Sequence, residues 1–269
     1  MKIIGRSILA GSIVAAVAVP VWADTSTEDL AKAAQNPIAN MISLPFQNNT
    51  TVNVGPEKQT QNVLNIQPVI PVKINEDWNL ITRTILPVIS QPGFAPGQDR
   101  VNGIGDIQVE LFASPAKPTG KLIWGVGPIL QLPTNSNDAL GTKKWGIGPA
   151  VVLLTSEGHW LYGVVANNIW SFAGPGDAAP INQMLVQPFI NYNFEEGWYA
   201  TTSPDITANW KAANNNRWTV PLGGGFGNIF KIGDQAVNGQ VQAFYNVVSP
   251  DNVGGNWTIR VQLQLLFPK

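Results

Sequence analysis

The sequence predicts an all-β protein: a transmembrane, antiparallel, up-and-down β-barrel of about twelve strands with a short N-terminal periplasmic helix. Three observations predict this fold class: segments in which apolar and polar residues alternate, short turns that alternate with longer loops, and aromatic residues at the strand ends. Together they are typical of barrels that cross the bacterial outer membrane, because lipid-facing and lumen-facing side chains alternate along each strand.

The first 23 residues are predicted to be a signal peptide. Lys2 and Arg6 give a positive start, Ile8 to Val19 is apolar, and residues 21–23 (VWA) form a small-residue cleavage pattern. We therefore expect cleavage near Ala23 and export. The apolar stretch is too short and too glycine-rich for a spanning helix, and no later segment approaches about 18 uninterrupted apolar residues.

The composition limits the classes of protein that are possible. Charged residues are 12% of the 269-residue chain, about half the share of about 25% that soluble domains carry, so part of the surface is expected to face something other than water. Without Lys2 and Arg6 the chain has 14 basic and 17 acidic residues, a net charge of −3, which offers no electrostatic basis for binding nucleic acid. There is no cysteine, and hence no disulfide framework or thiolate chemistry.

Residues 24–40 are predicted to be a periplasmic N-terminal segment. A helix is expected from Thr25 to Gln35, with Thr25 or Ser26 as its cap, Glu28 in the first turn and Pro37 ending it. The segment is short and polar, and we expect it to plug part of the barrel opening.

Residues 41–269 are predicted to form the barrel. The final segment is the clearest strand, since Trp257, Ile259, Val261 and the following odd-numbered residues are apolar, while Thr258, Arg260 and the following even-numbered residues are polar up to Gln264. Strands of this kind are predicted to begin near residues 41, 62, 78, 104, 121, 145, 159, 183, 198, 217, 238 and 256. The segments 146–154 and 163–169 are apolar on both faces, so their orientation stays open.

Turns and aromatic residues agree with this arrangement. The connections at 75–77, 156–158 and 195–197 are tight, whereas 91–102, 133–143 and 173–181 are longer and rich in Gly, Pro, Asn and Asp. Tryptophans stand near both ends of the predicted strands, where two membrane interfaces select for amphipathic rings. Prolines inside the strands oppose this interpretation, because each removes a ladder donor, and we expect local bulges there; they are Pro68, Pro87, Pro128, Pro149, Pro188, Pro204 and Pro221.

Four stretches resemble a known bacterial family. They are residues 30–40 (LAKAAQNPIAN), 43–49 (SLPFQNN), 61–71 (QNVLNIQPVIP) and 77–84 (DWNLITRT), and the repeated Trp-Gly-x-Gly-Pro at Trp124 and Trp145 extends the likeness. The chain is similar to the outer-membrane proteins described as the putative MetA-pathway of phenol degradation family, often labelled "transporter" or, misleadingly, "neuromedin U". The resemblance implies an outer-membrane barrel that moves small, aromatic or hydrocarbon, solutes; it supplies no catalytic residues.

Enzyme chemistry is not expected. His159 is the one histidine and stands at a predicted periplasmic turn, where a surface polar residue is the simpler interpretation, and one His without Cys serves zinc or iron poorly. The run Gly223 to Gly227 lacks the Lys-Ser/Thr of a phosphate loop, so strand glycines beside crowded lumen side chains are expected. We predict no cofactor and no metal.

The predicted functional residues are the polar faces of the strands, which should line the lumen if the apolar faces meet lipid. They are Asn65, Gln67, Arg83, Asp106, Gln108, Glu110, Gln131, Gln187, Asn191, Asn193, Thr201, Asp205, Gln242, Asn246, Arg260, Gln262 and Gln264. Arg83 stands at the depth of Asp106 to Glu110, which predicts a lumen ion-pair network.

Two functions remain open. One is a channel that passes small solutes, and the other is a non-conducting structural or surface-interaction barrel. The expected partners are outer-membrane lipid, the barrel-assembly machinery during insertion, and a small-molecule solute, with no nucleic acid.

Overall fold

The computed structural model describes residues 27–95, 97–118, 120–251 and 253–268. The predicted signal peptide and the proposed helix caps Thr25 and Ser26 lie outside these residues. Helix α1 spans Thr27–Gln35. Glu28 and Lys32 form an ion pair one turn apart at 2.8 Å, and the hydrogen bond from Lys32 lowers the pKa of the Glu28 carboxyl.

Fifteen β segments form one antiparallel sheet that closes on itself. They are β1 (Ile42–Val54), β2 (Gln59–Ile66), β3 (Val69–Lys73), β4 (Trp78–Gln91), β5 (Val101–Ile104), β6 (Ile107–Pro115), β7 (Leu122–Leu132), β8 (Trp145–Glu157), β9 (Trp160–Ala173), β10 (Asn182–Asn193), β11 (Trp198–Thr202), β12 (Ile206–Asn209), β13 (Trp218–Ile232), β14 (Gln235–Val248) and β15 (Trp257–Phe267). The pairs β2–β3, β5–β6 and β11–β12 each continue one another, which gives twelve barrel strands, and pairing of β15 with β1 and of β9 with β10 completes the ring. The predicted twelve-stranded barrel is confirmed. Within the described ranges, no helix is long and apolar enough to cross a bilayer.

The strand prolines coincide with interruptions of the sheet. Pro68 and Pro204 lie between consecutive segments, and Pro221 lies at a register shift against β14. Pro128 and Pro149 are directly opposite each other on β7 and β8. Pairing on the far side of each is missing, between Glu110 and Ala113 on β6 and between Ile147 and Ala150 on β8. The repeated Gly-Pro therefore stands where the ladder is interrupted, as expected for a residue without an N–H donor.

The two ends of the barrel differ. One end carries the tight turns at 74–77, 158–159, 194–197 and 233–234, and the other carries longer loops such as 92–100, 133–144 and 249–256. Helix α1 closes the tight-turn end, where Leu30 and Ala31 pack against Ile229, Ala236 and Leu266. In outer-membrane barrels the short turns are periplasmic, and α1 lies at the end of the barrel that carries them.

The outer wall is apolar. On β15, Ile259, Val261 and Leu263 are exposed by 41%, 49% and 43%, while Arg260 between them is buried. Exposed tryptophans stand at strand ends, among them Trp78 and Trp160 at the periplasmic end. An apolar band with aromatic residues at its edges is the surface that a bilayer requires.

The inner face is not polar throughout, which corrects the expectation of an amide-rich interior. Strands β4 and β6–β10 contribute an inward-facing apolar cluster that includes Phe112, Ile129, Val152, Val165 and Phe189, all nearly or fully buried. Strands β8 and β9 are apolar on both faces, because one face forms part of the outer wall and the other fills part of the bore. The interior therefore combines this apolar cluster with buried polar side chains, some of them on the same strands, such as Glu110, Gln131 and Asn191.

Candidate functional site: the polar interior

Most of the predicted lumen residues border three cavities inside the barrel, and Gln67, Asp106 and Asp205 among them lie between strand segments. Gln67, Arg83, Gln187, Asn191, Thr201, Gln262 and Gln264 border the inner cavity, beneath α1. Asp205 and Asn246 border the middle cavity, Arg260 borders both of these, and Gln108 borders the outer cavity near the loops. Asn65 is half-buried and lies opposite Gln47 in the register of β1 and β2. Four more are buried and hydrogen-bonded: Glu110, Gln131, Asn193 and Gln242. Asp106 accepts hydrogen bonds from the loop 133–144.

Arg83 and Glu110 form an ion pair inside the barrel. Arg83 Nη1 lies 3.1 Å from Glu110 Oε2, and Arg83 Nη2 donates to Gln67 Oε1 at 2.8 Å. Glu110 is fully buried, and its other oxygen accepts from Asn167 Nδ2 of the distant strand β9 at 3.0 Å. The cluster connects β4, β6 and β9, and of the predicted network the structure contains the ion pair between Arg83 and Glu110.

Asp106 takes no part in that network, so the prediction was wrong for this residue. A break between β5 and β6 turns its carboxylate toward the loop 133–144, where it accepts from Thr142 N at 2.7 Å, Thr142 Oγ1 at 2.8 Å and Asn135 N at 3.2 Å. Gln131 also donates to it at 3.3 Å. Asp106 thus anchors a long loop at the outer mouth.

A second charged cluster surrounds Arg260. Its Nη2 lies 2.6 Å from Asp205 Oδ2, its Nη1 donates to the Ser203 carbonyl at 2.8 Å, and its Nε donates to Asn49 Oδ1 at 2.9 Å. The guanidinium also lies 5.0 Å from the ring centre of Phe244. Segment 203–205 reaches this position because β11 ends at Thr202 and Pro204 interrupts the strand.

Several interior residues were missed by sequence reasoning. Tyr199 is buried and donates to Asn238 Oδ1 at 2.5 Å. The absence of a side chain at Gly227 makes room for the Tyr199 ring, since a Cβ there would lie 2.2 Å from it. Asn238 shares strand parity with the predicted Gln242 and Asn246 on β14, so alternation alone would have found it. Asn167 gave no such signal, because its strand is apolar on both faces.

The three cavities follow one another along the barrel. The outer cavity has a volume of about 650 Å³, the middle one about 410 Å³ and the inner one about 130 Å³. The outer and middle cavities share Thr207, Thr219, Pro250 and Val253, and the middle and inner cavities share Arg260. The interior thus narrows from the loops toward α1, with Arg260 at the last boundary.

A closed barrel with an apolar outer wall and a partly polar, cavity-containing interior defines the chain as an outer-membrane-type β-barrel. The chain belongs to the family described as "Putative MetA-pathway of phenol degradation", whose sequence profile matches residues 44–269. The resemblance noted from its sequence is thereby confirmed.

Solved structures support the same fold. A COG4313 outer membrane channel from Pseudomonas putida F1 is 16% identical, with a TM-score of 0.66, over 84% of this chain and 95% of that one. The NanC porin is 10% identical, with a TM-score of 0.53, over 85% of this chain and all of that one. At these identities the likeness concerns the fold. No curated protein sequence matches the chain.

Proposed function

We propose that this protein is a passive channel for small solutes in the outer membrane. The observation that carries the proposal is the series of three adjacent cavities from the outer loops to α1, in which each cavity shares lining residues with the next. Side chains alone fill the bore of a barrel of about eight strands, whereas twelve strands enclose more space, which here is left as cavities.

The charges of the interior favour weak selectivity. Arg83 and Arg260 both border the inner cavity, and each is paired with a carboxylate. A single-sign ring selects ions of the opposite charge, whereas paired charges among neutral amides leave little net field. The inner cavity is therefore expected to discriminate little between solutes of different charge.

The inner apolar cluster favours solutes with hydrocarbon or aromatic surface. Phe189 and Val69 border the inner cavity together with amides such as Gln264, and both belong to the inner apolar cluster. A small aromatic or hydrocarbon solute can contact these side chains while its polar groups face the amides. A channel and a porin share this fold, and the family is described by a pathway of phenol degradation, which supports the proposal of an aromatic solute.

We further propose that the chain is exported, cleaved near Ala23, inserted by the barrel-assembly machinery and embedded in outer-membrane lipid. An enzymatic role is not proposed. His159 is exposed in the turn between β8 and β9, and its ring lies 5.7 Å from that of Tyr192, a setting typical of a surface residue.

Liposome swelling and bilayer conductance test the channel. Refolded protein should let arabinose through faster than a tetrasaccharide, because the inner cavity is small. The double variant Arg83→Gln with Glu110→Gln, which leaves no unpaired buried charge, should change the conductance because Arg83 borders that cavity. Arg100→Gln, in the loop 92–100, is the control. A bilayer that stays sealed in the presence of folded protein would refute the channel and favour the non-conducting barrel. The packing of α1 at the tight-turn end of the barrel supports that alternative.

A further inference from the structure

The outer cavity carries an unbalanced positive charge. Its lining combines apolar side chains, Ile169, Leu185 and Val253, with the amides of Gln183 and Asn209 and with Arg217. Arg217 Nε is buried and has no hydrogen-bond partner, and among the described residues it is the only buried side-chain nitrogen or oxygen in that state. A buried donor without an acceptor is unfavourable, and Arg217 borders the cavity, so a ligand that supplies an acceptor to its guanidinium would be stabilised there.

Aromatic neighbours hold Arg217 without supplying an acceptor. The Arg217 guanidinium lies 5.7 Å from the ring centre of Trp210. Trp210 is fixed in turn, since its Nε1 donates to Asn168 Oδ1 at 3.0 Å and its ring packs edge-on against Trp218 at 5.4 Å. A ring face attracts a cation but leaves the N–H groups of the guanidinium without hydrogen bonds.

Arg217 differs in this respect from the two arginines deeper in the barrel. Arg83 is paired with Glu110 and Arg260 with Asp205, whereas no carboxylate in the described ranges lies within salt-bridge distance of Arg217. Asp251 is nearby in the fold, because its backbone N–H bonds to Asn216 Oδ1 at 2.8 Å. Its carboxylate instead accepts from Asn215 Nδ2 at 2.5 Å.

We propose that the outer cavity binds a small organic anion, a carboxylate attached to an apolar body. The carboxylate accepts from Arg217, the apolar body packs against Ile169, Leu185 and Val253, and the Gln183 amide supplies a further donor. Guanidinium groups suit carboxylates because their planar donors match two carboxylate oxygens. The assignment rests on the proposed function in that it names a class of solute that would enter the channel, but binding is measurable without transport.

Isothermal titration of the folded, detergent-solubilised protein with hexanoate tests the site. Hexanamide has the same shape without the charge, and acetate has the charge without the apolar body. We expect hexanoate to bind, and both hexanamide and acetate to bind about tenfold more weakly or worse, since a charge-assisted hydrogen bond is worth at least that factor. Arg217→Gln should weaken hexanoate to the same extent, and Arg217→Lys should retain part of the binding.

Arg100→Gln is the matched control, because it removes the same charge from an outer loop where Arg100 already bonds Ser90 and Gln59. The shift in migration on an unheated gel verifies that each variant is folded. Equal binding of hexanoate by Arg217→Gln and the native protein would overturn the site, as would equal loss in Arg100→Gln or equal binding of hexanamide. A protein that binds hexanoate but passes no solute would refute the channel alone, and one that conducts without binding would refute the site alone.

Discussion

Replacement of Glu110 by Gln is expected to destabilise the barrel strongly, because it removes one partner of a buried ion pair. Glu110 is fully buried, accepts from Arg83 at 3.1 Å and from Asn167 at 3.0 Å, and Arg83 is itself only 14% exposed. Opposite charges about 4 Å apart attract by about 4 kcal/mol at an effective dielectric constant of about 20. Breaking such a pair typically costs about 3–5 kcal/mol, since the remaining charge stays buried. We expect a loss of about 3 kcal/mol in the free energy of unfolding, because Gln can still accept from Asn167.

Urea unfolding in lipid vesicles, followed by tryptophan fluorescence, measures this loss. The double variant Glu110→Leu with Arg83→Met should recover most of the stability, since no unpaired charge remains. Glu157→Gln is the control: its ion pair with Lys121 is shorter, at 2.7 Å, but both side chains are more than half exposed, and no measurable change is expected. If Glu110→Gln lowers the free energy of unfolding by less than about 1 kcal/mol, or Glu157→Gln lowers it equally, the buried ion pair does not stabilise the barrel as expected.

Three further predictions concern the interior. Gly227→Ala should cost up to about 3 kcal/mol, because its Cβ would lie 2.2 Å from the buried Tyr199 ring, and Tyr199→Leu should recover part of that stability in the same unfolding assay. Asp106→Asn should speed tryptic cleavage in the loop 133–144, because a carboxylate that holds Thr142 and Asn135 is lost; an unchanged cleavage rate contradicts this role. Arg260→Gln should shift the reversal potential in a salt gradient toward cation selectivity, since Asp205 would lose its counter-charge, and an unshifted potential would remove Arg260 from the conducting path.

The period-two pattern predicts the barrel well because it records the environment on either side of one sheet. The alternation along 257–267 correctly indicates that Val261 faces outward and Arg260 inward, and the strand starts follow from the turns between them. On β8 and β9 both environments are apolar, so apolar and polar residues do not alternate and the inward face cannot be recognised from the sequence. The inner apolar cluster therefore could not be assigned from parity.

Contacts across the barrel were also beyond the reach of sequence reasoning. Asn167 donates a hydrogen bond to Glu110 across two intervening strands. Arg260 donates to the Ser203 carbonyl, which lies in the break between β11 and β12 at Pro204. A proline alone indicates only that a ladder donor is missing. Whether the result is a bulge, as at Pro221, or a break, as at Pro204, depends on the neighbouring strands. The Asp106 carboxylate was assigned to the Arg83 network for the same reason, since strand depth says nothing of a local break.

Both the fold and the proposed function require that the apolar side of each strand contacts lipid. The chain contains no cysteine, so single cysteines at 258 to 264 can be spin-labelled one at a time in vesicles and their accessibility to oxygen and to a water-soluble nickel chelate measured. Labels at 259, 261 and 263 should be accessible to oxygen and protected from nickel, and labels at 258, 260, 262 and 264 should show lower oxygen accessibility. Opposite phases, or no alternation with a period of two, would contradict the assignment of the apolar face to the membrane.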